Sequence, residues 1–106
     1  MCSNWRRIHN EGVTLAEFKQ TTASAKPPAE LSPALMALWH DARGNWDAAH
    51  ETAQEIHDAT GAWVHAYLHR KEGDLGNAAY WYRRAGQPEA RDPLEAEWDR
   101  IVSALL

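Results

Sequence analysis

The sequence is poor in the features that mark secreted and membrane-spanning proteins. Its single cysteine, Cys2, cannot form an internal disulfide, and a chain of this length does not require one. No apolar run approaches the roughly 20 residues needed to span a bilayer. The first 25 residues also lack the apolar core of a signal peptide. We therefore expect a soluble, cytoplasmic protein that makes no membrane contact.

Isoleucine, valine and serine are also scarce. Isoleucine and valine together number six in 106 residues, whereas alanine is abundant, and this balance favours helices over strands. The few serines lie near the termini, in a linker or at a helix start, which argues against a Ser-His-Asp catalytic arrangement. A glycine-rich phosphate loop in its usual strand context is absent. We predict an all-α protein that is not an enzyme and needs no cofactor.

Positive charge is not in excess. The net charge of −4 and the pI near 5.8 argue against a general nucleic-acid binder, which normally presents a strongly basic face. The charge is uneven, since residues 41–58 contain five acids and one base, whereas residues 62–85 contain four bases and two acids. The bases of the second segment are interpreted either as a local anion-binding patch or as ordinary solvated helix positions.

An internal repeat is the main feature that the chain does contain. Residues 35–50 and 64–79 align with an offset of 29 residues, which places alanines, glycines and the histidines His40 and His69 at equivalent positions. Each unit has the pattern of a helix, a glycine turn and a second helix. A single helical hairpin cannot bury its apolar face alone, so the repeat predicts two stacked hairpins.

The first thirty residues contain fewer helix signals. The capping-box spacing that starts at Thr14 predicts a short helix from Leu15 to about Thr21. A stretch rich in threonine, alanine, serine and proline follows it and has the composition of a linker. We assign residues 1–30 to an N-terminal arm and linker, and residues 31–106 to a helical-repeat domain.

Five helices are predicted in this second domain. Four of them are expected over residues 33–43, 46–60, 62–72 and 75–85, and the fifth near the C-terminus. The second helix is inferred from an apolar and histidine stripe that ends at His57. Asp92 and Glu95 form a capping-box pattern for the last helix, whose apolar stripe from Leu94 to Leu105 predicts one buried face. We expect this helix to cap the last hairpin.

The two glycine turns resemble those of a known repeat family. Gly44-Asn-Trp-Asp-Ala-Ala49 and Gly73-Asp-Leu-Gly-Asn-Ala78 resemble the Gly-Asp-Tyr-x-x-Ala turn of tetratricopeptide repeats, and Ala78-Ala-Tyr-Trp-Tyr-Arg-Arg-Ala85 is similar to the second helix of Sel-like repeats. The 29-residue offset is shorter than the tetratricopeptide period of about 34 residues. The chain also resembles a small bacterial family with Trp-His-Asp-Ala-Arg-Gly and His-Ala-Tyr-Leu-His-Arg segments, which implies no function.

The tetratricopeptide resemblance implies a non-enzymatic scaffold that binds a protein or peptide in a groove lined by the first helix of each unit. By position in the units, the groove-facing residues would be Leu38, Asp41, Trp63, Tyr67, Arg70 and Lys71. Aromatic rings beside cations suit an extended peptide or an acidic tail. Packing of Trp63 and Tyr67 between the hairpins is the alternative interpretation. The six tryptophans also suggest a homodimer, because exposed apolar patches often mark interfaces.

A histidine cluster supports an alternative function. His65, His69 and Glu72 are spaced to project from one face of the third predicted helix, and two imidazoles with a carboxylate can ligate Zn²⁺ or Fe²⁺. His50 and His57 from the preceding helix could complete such a site. A metal signature such as His-Glu-x-x-His is absent. The alternative is thus a metal-binding or catalytic helical protein.

The repeat alignment favours a structural role for the same histidines. In the register of the tetratricopeptide resemblance, His69 falls where such units carry a partly buried aromatic residue and His65 where they carry a packing leucine. The resemblance therefore implies that both rings pack inside their own hairpin, as His40, the counterpart of His69, would in the first unit. Their ring nitrogens would then form hydrogen bonds to the backbone or to acids such as Asp41 and Glu72.

Overall fold

The described part of the chain, residues 13–24, 26–28 and 30–106 of a computed structural model, is built from six α-helices and contains no strand. The helices are α1 (Leu15–Thr21), α2 (Pro33–Ala42), α3 (Trp46–Gln54), α4 (Ala59–Lys71), α5 (Leu75–Ala85) and α6 (Leu94–Leu105). The predicted all-α class is therefore confirmed. Cys2 and the rest of residues 1–12 lie outside the described residues.

Side-chain caps define where most of these helices begin. The cap residue accepts a hydrogen bond from the backbone N–H three residues later at five starts, namely Thr14, Ser32, Asn45, Asp58 and Asp74. Such a cap satisfies one of the N–H groups that a helix start leaves without a partner. At the first start, the Glu17 side chain also accepts from the Thr14 N–H at 2.9 Å, which completes the predicted capping box.

The capping box predicted for the last helix is wrong. Pro93 occupies the N-cap position of α6, and no side chain caps this helix. The Asp92 carboxylate instead pairs with the Arg100 guanidinium, which holds the pKa of Asp92 below its usual range. The Asp92 carboxylate therefore pairs with a cation instead of capping α6, which is the role that its spacing from Glu95 predicted.

The two repeat units turn in the same way. Gly44 and Gly73 have φ values of 81° and 89°, in the left-handed region that favours glycine. The next residue in each unit, Asn45 or Asp74, is the N-cap of the following helix. The equivalence that the sequence predicts thus extends to the backbone of both turns, whereas the stacking of two hairpins stays a prediction.

The core is assembled around α4. This helix contacts α2, α3, α5 and α6, and α6 in turn contacts α1 and α2. Fully buried side chains come from elements far apart in sequence, including Phe18 of α1, Leu68 of α4 and Ile101 of α6. The Trp98 indole N–H of α6 donates to the Leu38 carbonyl oxygen at 3.1 Å. The predicted face of α6 is therefore buried, and α1, from the predicted N-terminal arm, contributes to the same core.

The second predicted helix is shorter than expected. It ends at Gln54 rather than continuing past His57, because Asp58 already caps α4 by accepting from the Gly61 N–H at 3.0 Å. A side chain at Gly61 would collide with Ile56, so the chain between α3 and α4 passes close against the start of α4. His57 consequently lies exposed in the connection.

Candidate metal centre

Three histidines converge where α3 packs against α4. His50 comes from the middle of α3, and His65 and His69 lie one turn apart on α4. The His50 Nε2 and His65 Nε2 atoms are 3.0 Å apart. One potential ligand atom from each of the three histidines lies within 4.8 Å of the other two. The helical spacing of α4 and the contact with α3 together place three nitrogen donors around one point.

The three rings differ in burial. His65 and His69 are buried, with 6% and 7% of their surface exposed, whereas His50 is half-buried. His50 is therefore the ring of the cluster that is most exposed to solvent. Buried histidines also need partners for their ring nitrogens, because an unpaired polar atom in the interior costs free energy.

Two tryptophan rings stack on histidines of the cluster. The Trp46 ring stacks on His50 with centroids 4.8 Å apart and an interplanar angle of 10°. The Trp81 ring of α5 stacks on His65 at 4.0 Å and 13°. Trp46 is itself anchored, since its indole N–H donates to the Leu68 carbonyl oxygen at 2.9 Å. These contacts restrict the ring planes before any ligand binds.

Burial and neighbouring groups favour the neutral forms of His50 and His65. Burial, followed by the proximity of His50 and His69, lowers the pKa of His65 to about 4. Burial and the neighbouring His69 also lower the pKa of His50, an effect that Glu72 and other nearby carboxylates oppose. Metal ions bind the neutral form of imidazole, because the charged form has no free lone pair. The cluster therefore supplies ligating forms of these two rings at neutral pH.

The remaining ring, His69, has a carboxylate beside it. The Glu72 Oε1 atom lies 3.5 Å from His69 Nδ1, and this nitrogen makes no hydrogen bond among the described residues. Asp74 is also close, and one potential ligand atom each of His69, Glu72 and Asp74 lies within 4.8 Å of the others. A carboxylate on one ring nitrogen orients a histidine whose other nitrogen binds metal.

The structure brings together most, but not all, of the predicted metal ligands. His50, His65, His69 and Glu72 are neighbours, whereas His57 is exposed and belongs to neither histidine group found in the described residues. The predicted hydrogen bond from a histidine to Asp41 is not formed. The Asp41 carboxylate instead accepts from Tyr67 and Lys71.

Of the six predicted partner-binding residues, Asp41, Tyr67 and Lys71 line one cavity, whereas Leu38, Trp63 and Arg70 do not line it. Leu38, Asp41 and Tyr67 are buried, with 0%, 3% and 2% of their surfaces exposed. Arg70 is nearly buried and pairs with Glu97 of α6. The covering helix α6 explains this burial, because it packs on α2 and α4 at the face where the groove was expected. Of the remaining two, Trp63 is half-buried and Lys71 is exposed.

Two residues with buried contacts, Trp81 and Glu97, were not predicted from the sequence. Trp81 was not assigned to the histidine cluster, and no short-range spacing could have indicated it, because it comes from α5. Glu97 was also missed, although it occupies the predicted apolar face of α6, one residue before Trp98. A lone carboxylate on an apolar stripe is a signal for a buried ion pair.

No protein-family model, curated protein or solved structure matches this chain. The resemblance to tetratricopeptide and Sel-like repeats therefore stays a prediction. Among the described residues, no helix has the length and apolar character required to cross a bilayer.

Proposed function

We propose that this protein binds a divalent transition-metal ion through His50, His65 and His69. The observation that carries the proposal is the convergence of three imidazoles with potential ligand atoms within 4.8 Å of one another. Imidazole nitrogen suits Zn²⁺, Cu²⁺, Ni²⁺ and Fe²⁺ and is a poor ligand for Mg²⁺ and Ca²⁺. The expected ligand is therefore a transition-metal ion rather than an alkaline-earth ion.

The spacing of the ligands is close to what such an ion requires. Tetrahedral zinc with Zn–N bonds of about 2.0–2.1 Å places its nitrogen ligands about 3.3 Å apart. The His50 and His65 Nε2 atoms, at 3.0 Å, need only a small separation, and His69, with a potential ligand atom within 4.8 Å of both, would complete a three-histidine set. The fourth position is then left for water or for another ligand.

Metal binding would also replace a hydrogen bond inside the cluster. Because two Nε2 atoms face each other, one of them must carry the hydrogen that the other accepts. A bound cation would be coordinated by both Nε2 lone pairs once this hydrogen has moved to the Nδ1 atom of the same ring. Glu72 can accept from the His69 Nδ1–H, which leaves the Nε2 atom of that ring as the ligand.

The protein-interaction function that the tetratricopeptide resemblance implies has less geometric support. A peptide groove requires accessible side chains, and Leu38, Asp41 and Tyr67 are buried beneath neighbouring helices. Binding of a protein or peptide partner, and homodimer formation, remain predictions. The metal proposal draws on residues that the structure has already brought together.

The proposal is tested by titrating Zn²⁺ into the full chain after EDTA treatment and dialysis, with isothermal titration calorimetry as the readout. We expect one ion per chain, and at least ~10-fold weaker binding in His50→Ala, a loss of about 1.4 kcal/mol. His50 is half-buried, so this variant disturbs the core least, and far-UV circular dichroism verifies its helicity.

The matched control is His57→Ala, which removes an exposed histidine outside the cluster. It should bind Zn²⁺ as the unchanged protein does. Ni²⁺ should in addition quench tryptophan fluorescence, because Trp46 and Trp81 stack on two of the ligands. Equal affinities of the two histidine variants, or no binding by the unchanged chain, would refute the metal function.

A further inference from the structure

A cavity of about 450 Å³ lies on the side of the molecule where α1, α2, α4 and α6 meet. Its volume falls within the range of about 300–1,000 Å³ that is typical of small-molecule sites. The lining residues are Lys19, Thr22, Asp41, Ala42, Tyr67, Lys71, Leu94, Glu95, Trp98 and Asp99. None of them belongs to the histidine cluster, so this cavity is a second candidate site.

The inner part of the cavity contains a buried but compensated charge. The Asp41 side chain is 2% exposed, and its Oδ2 atom accepts from the Tyr67 hydroxyl at 3.1 Å. Its Oδ1 atom is 2.8 Å from Lys71 Nζ. The carboxylate and the ammonium therefore neutralise each other, and Tyr67 is held as a neutral phenol whose pKa is raised by burial and by Asp41.

The outer part of the cavity carries a surplus of negative charge. Lys19 Nζ and Asp99 Oδ1 form an ion pair at 3.0 Å, with side chains 42% and 32% exposed. Glu95 is exposed, and its carboxylate has no ion-pair or hydrogen-bond partner among the described residues. The lining thus holds three carboxylates and two ammonium groups, and both ammonium groups are already paired.

The remaining wall is apolar and aromatic. It is formed by Leu94, Trp98, Tyr67 and Ala42. The indole N–H of Trp98 donates to the Leu38 carbonyl oxygen, which fixes the ring and satisfies its only polar group. Such a wall suits the apolar or aromatic part of a small ligand.

We propose that this cavity binds a small ligand in which a primary ammonium group is attached to a short apolar or aromatic body. The ammonium would pair with Glu95, whose carboxylate needs no existing pair to be broken, and the apolar body would lie against Trp98 and Leu94. An anion would face the surplus carboxylate and could gain a lysine only by breaking an existing pair. Charge balance therefore selects a cation.

Phenethylamine is a suitable probe, with 2-phenylethanol and phenylacetate as neutral and anionic analogues of similar size. Binding is followed by tryptophan fluorescence and by chemical-shift changes in the full chain, with EDTA present to exclude metal coordination by the amine. We expect phenethylamine to bind about 3-fold more tightly than 2-phenylethanol and at least ~10-fold more tightly than phenylacetate, which the carboxylate also repels. Equal binding of phenylacetate, or no binding of the amine, would overturn the proposal.

A pair of variants locates the binding. Glu95→Gln removes the unpaired carboxylate with little change in shape and should weaken phenethylamine binding about 3-fold, because an ion pair with an exposed carboxylate is weak. Glu89→Gln alters an exposed glutamate that does not line the cavity and should leave the affinity unchanged. Equal affinities of the two variants would place the amine elsewhere. His50→Ala should bind the amine normally, so this result is independent of the metal function.

Discussion

At the scale of single residues, Glu97 is the most completely buried charged side chain in the described part of the chain. It is completely buried, and its two carboxylate oxygens lie 2.8 Å from Arg70 Nη1 and 2.6 Å from the Tyr82 hydroxyl. Arg70 also donates to the Asp92 backbone carbonyl. Burial and the hydrogen bond to Glu97 raise the pKa of Tyr82, so its phenol stays a donor. This network connects α4, α5 and α6 through polar bonds inside the core.

Replacing Arg70 by Met should lower the free energy of unfolding by about 3 kcal/mol, because Glu97 would remain buried without its cation. The control is Lys19→Met, which breaks the partly exposed pair with Asp99 and should cost less than about 1 kcal/mol. Urea unfolding followed by circular dichroism measures both. Similar losses in the two variants would show that the buried pair contributes no more than a surface pair.

At the scale of the elements, the two glycine turns explain why the helices of each repeat unit separate where they do. Gly44 and Gly73 adopt positive φ angles, and Asn45 and Asp74 then cap the next helix. The glycine turn and the cap each depend on only a few neighbouring residues, so both can be recognised in the sequence. His57 shows the limit of such signals, since an apparently continuous stripe is interrupted by the cap at Asp58.

Gly73→Ala should destabilise the protein by about 1 kcal/mol, because an L side chain is strained at a φ of 89°. Gly76→Ala provides an opposite test within the same region. Gly76 lies inside α5, and an added Cβ meets no atom within 4 Å, so this change should stabilise by up to about 1 kcal/mol. Thermal unfolding of both variants measures the difference, and a loss of stability in Gly76→Ala would contradict the local origin of the effect.

At the scale of the whole molecule, the histidine cluster links folding to pH. The pKa of His65 is about 4 in the folded chain, and the ordinary value of 6.5 applies when the chain is unfolded. Between these values the unfolded state binds more protons. The stabilising contribution of neutral His65 is therefore complete above about pH 6.5 and is lost as the pH falls toward about 4.

Urea unfolding in EDTA should consequently show a decline in stability from about pH 7 to about pH 5. His65→Phe keeps an aromatic ring against Trp81 and removes the titrating group, so its stability should vary less over this interval. An identical pH slope in His65→Phe would mean that other groups cause the decline. Carboxylates protonate mainly below this interval and contribute little to the comparison.

Much of the helical architecture could be predicted, whereas the candidate site could be predicted only in part. The cap at Thr14 and the buried face of α6 were read from spacing alone. The approach of His65 and His69 also followed from helical periodicity. The stacking of Trp81 on His65 could not be predicted, because it depends on how α5 packs against α4.

The sequence by itself determined the all-α class, the glycine turns and most helix starts, since caps and positive φ angles depend on neighbouring residues. Only the tertiary structure decided that His50 meets His65, from 15 residues away, and that α6 covers the expected groove. Those contacts depend on which apolar faces bury one another, and this choice is a property of the packed chain rather than of any local segment.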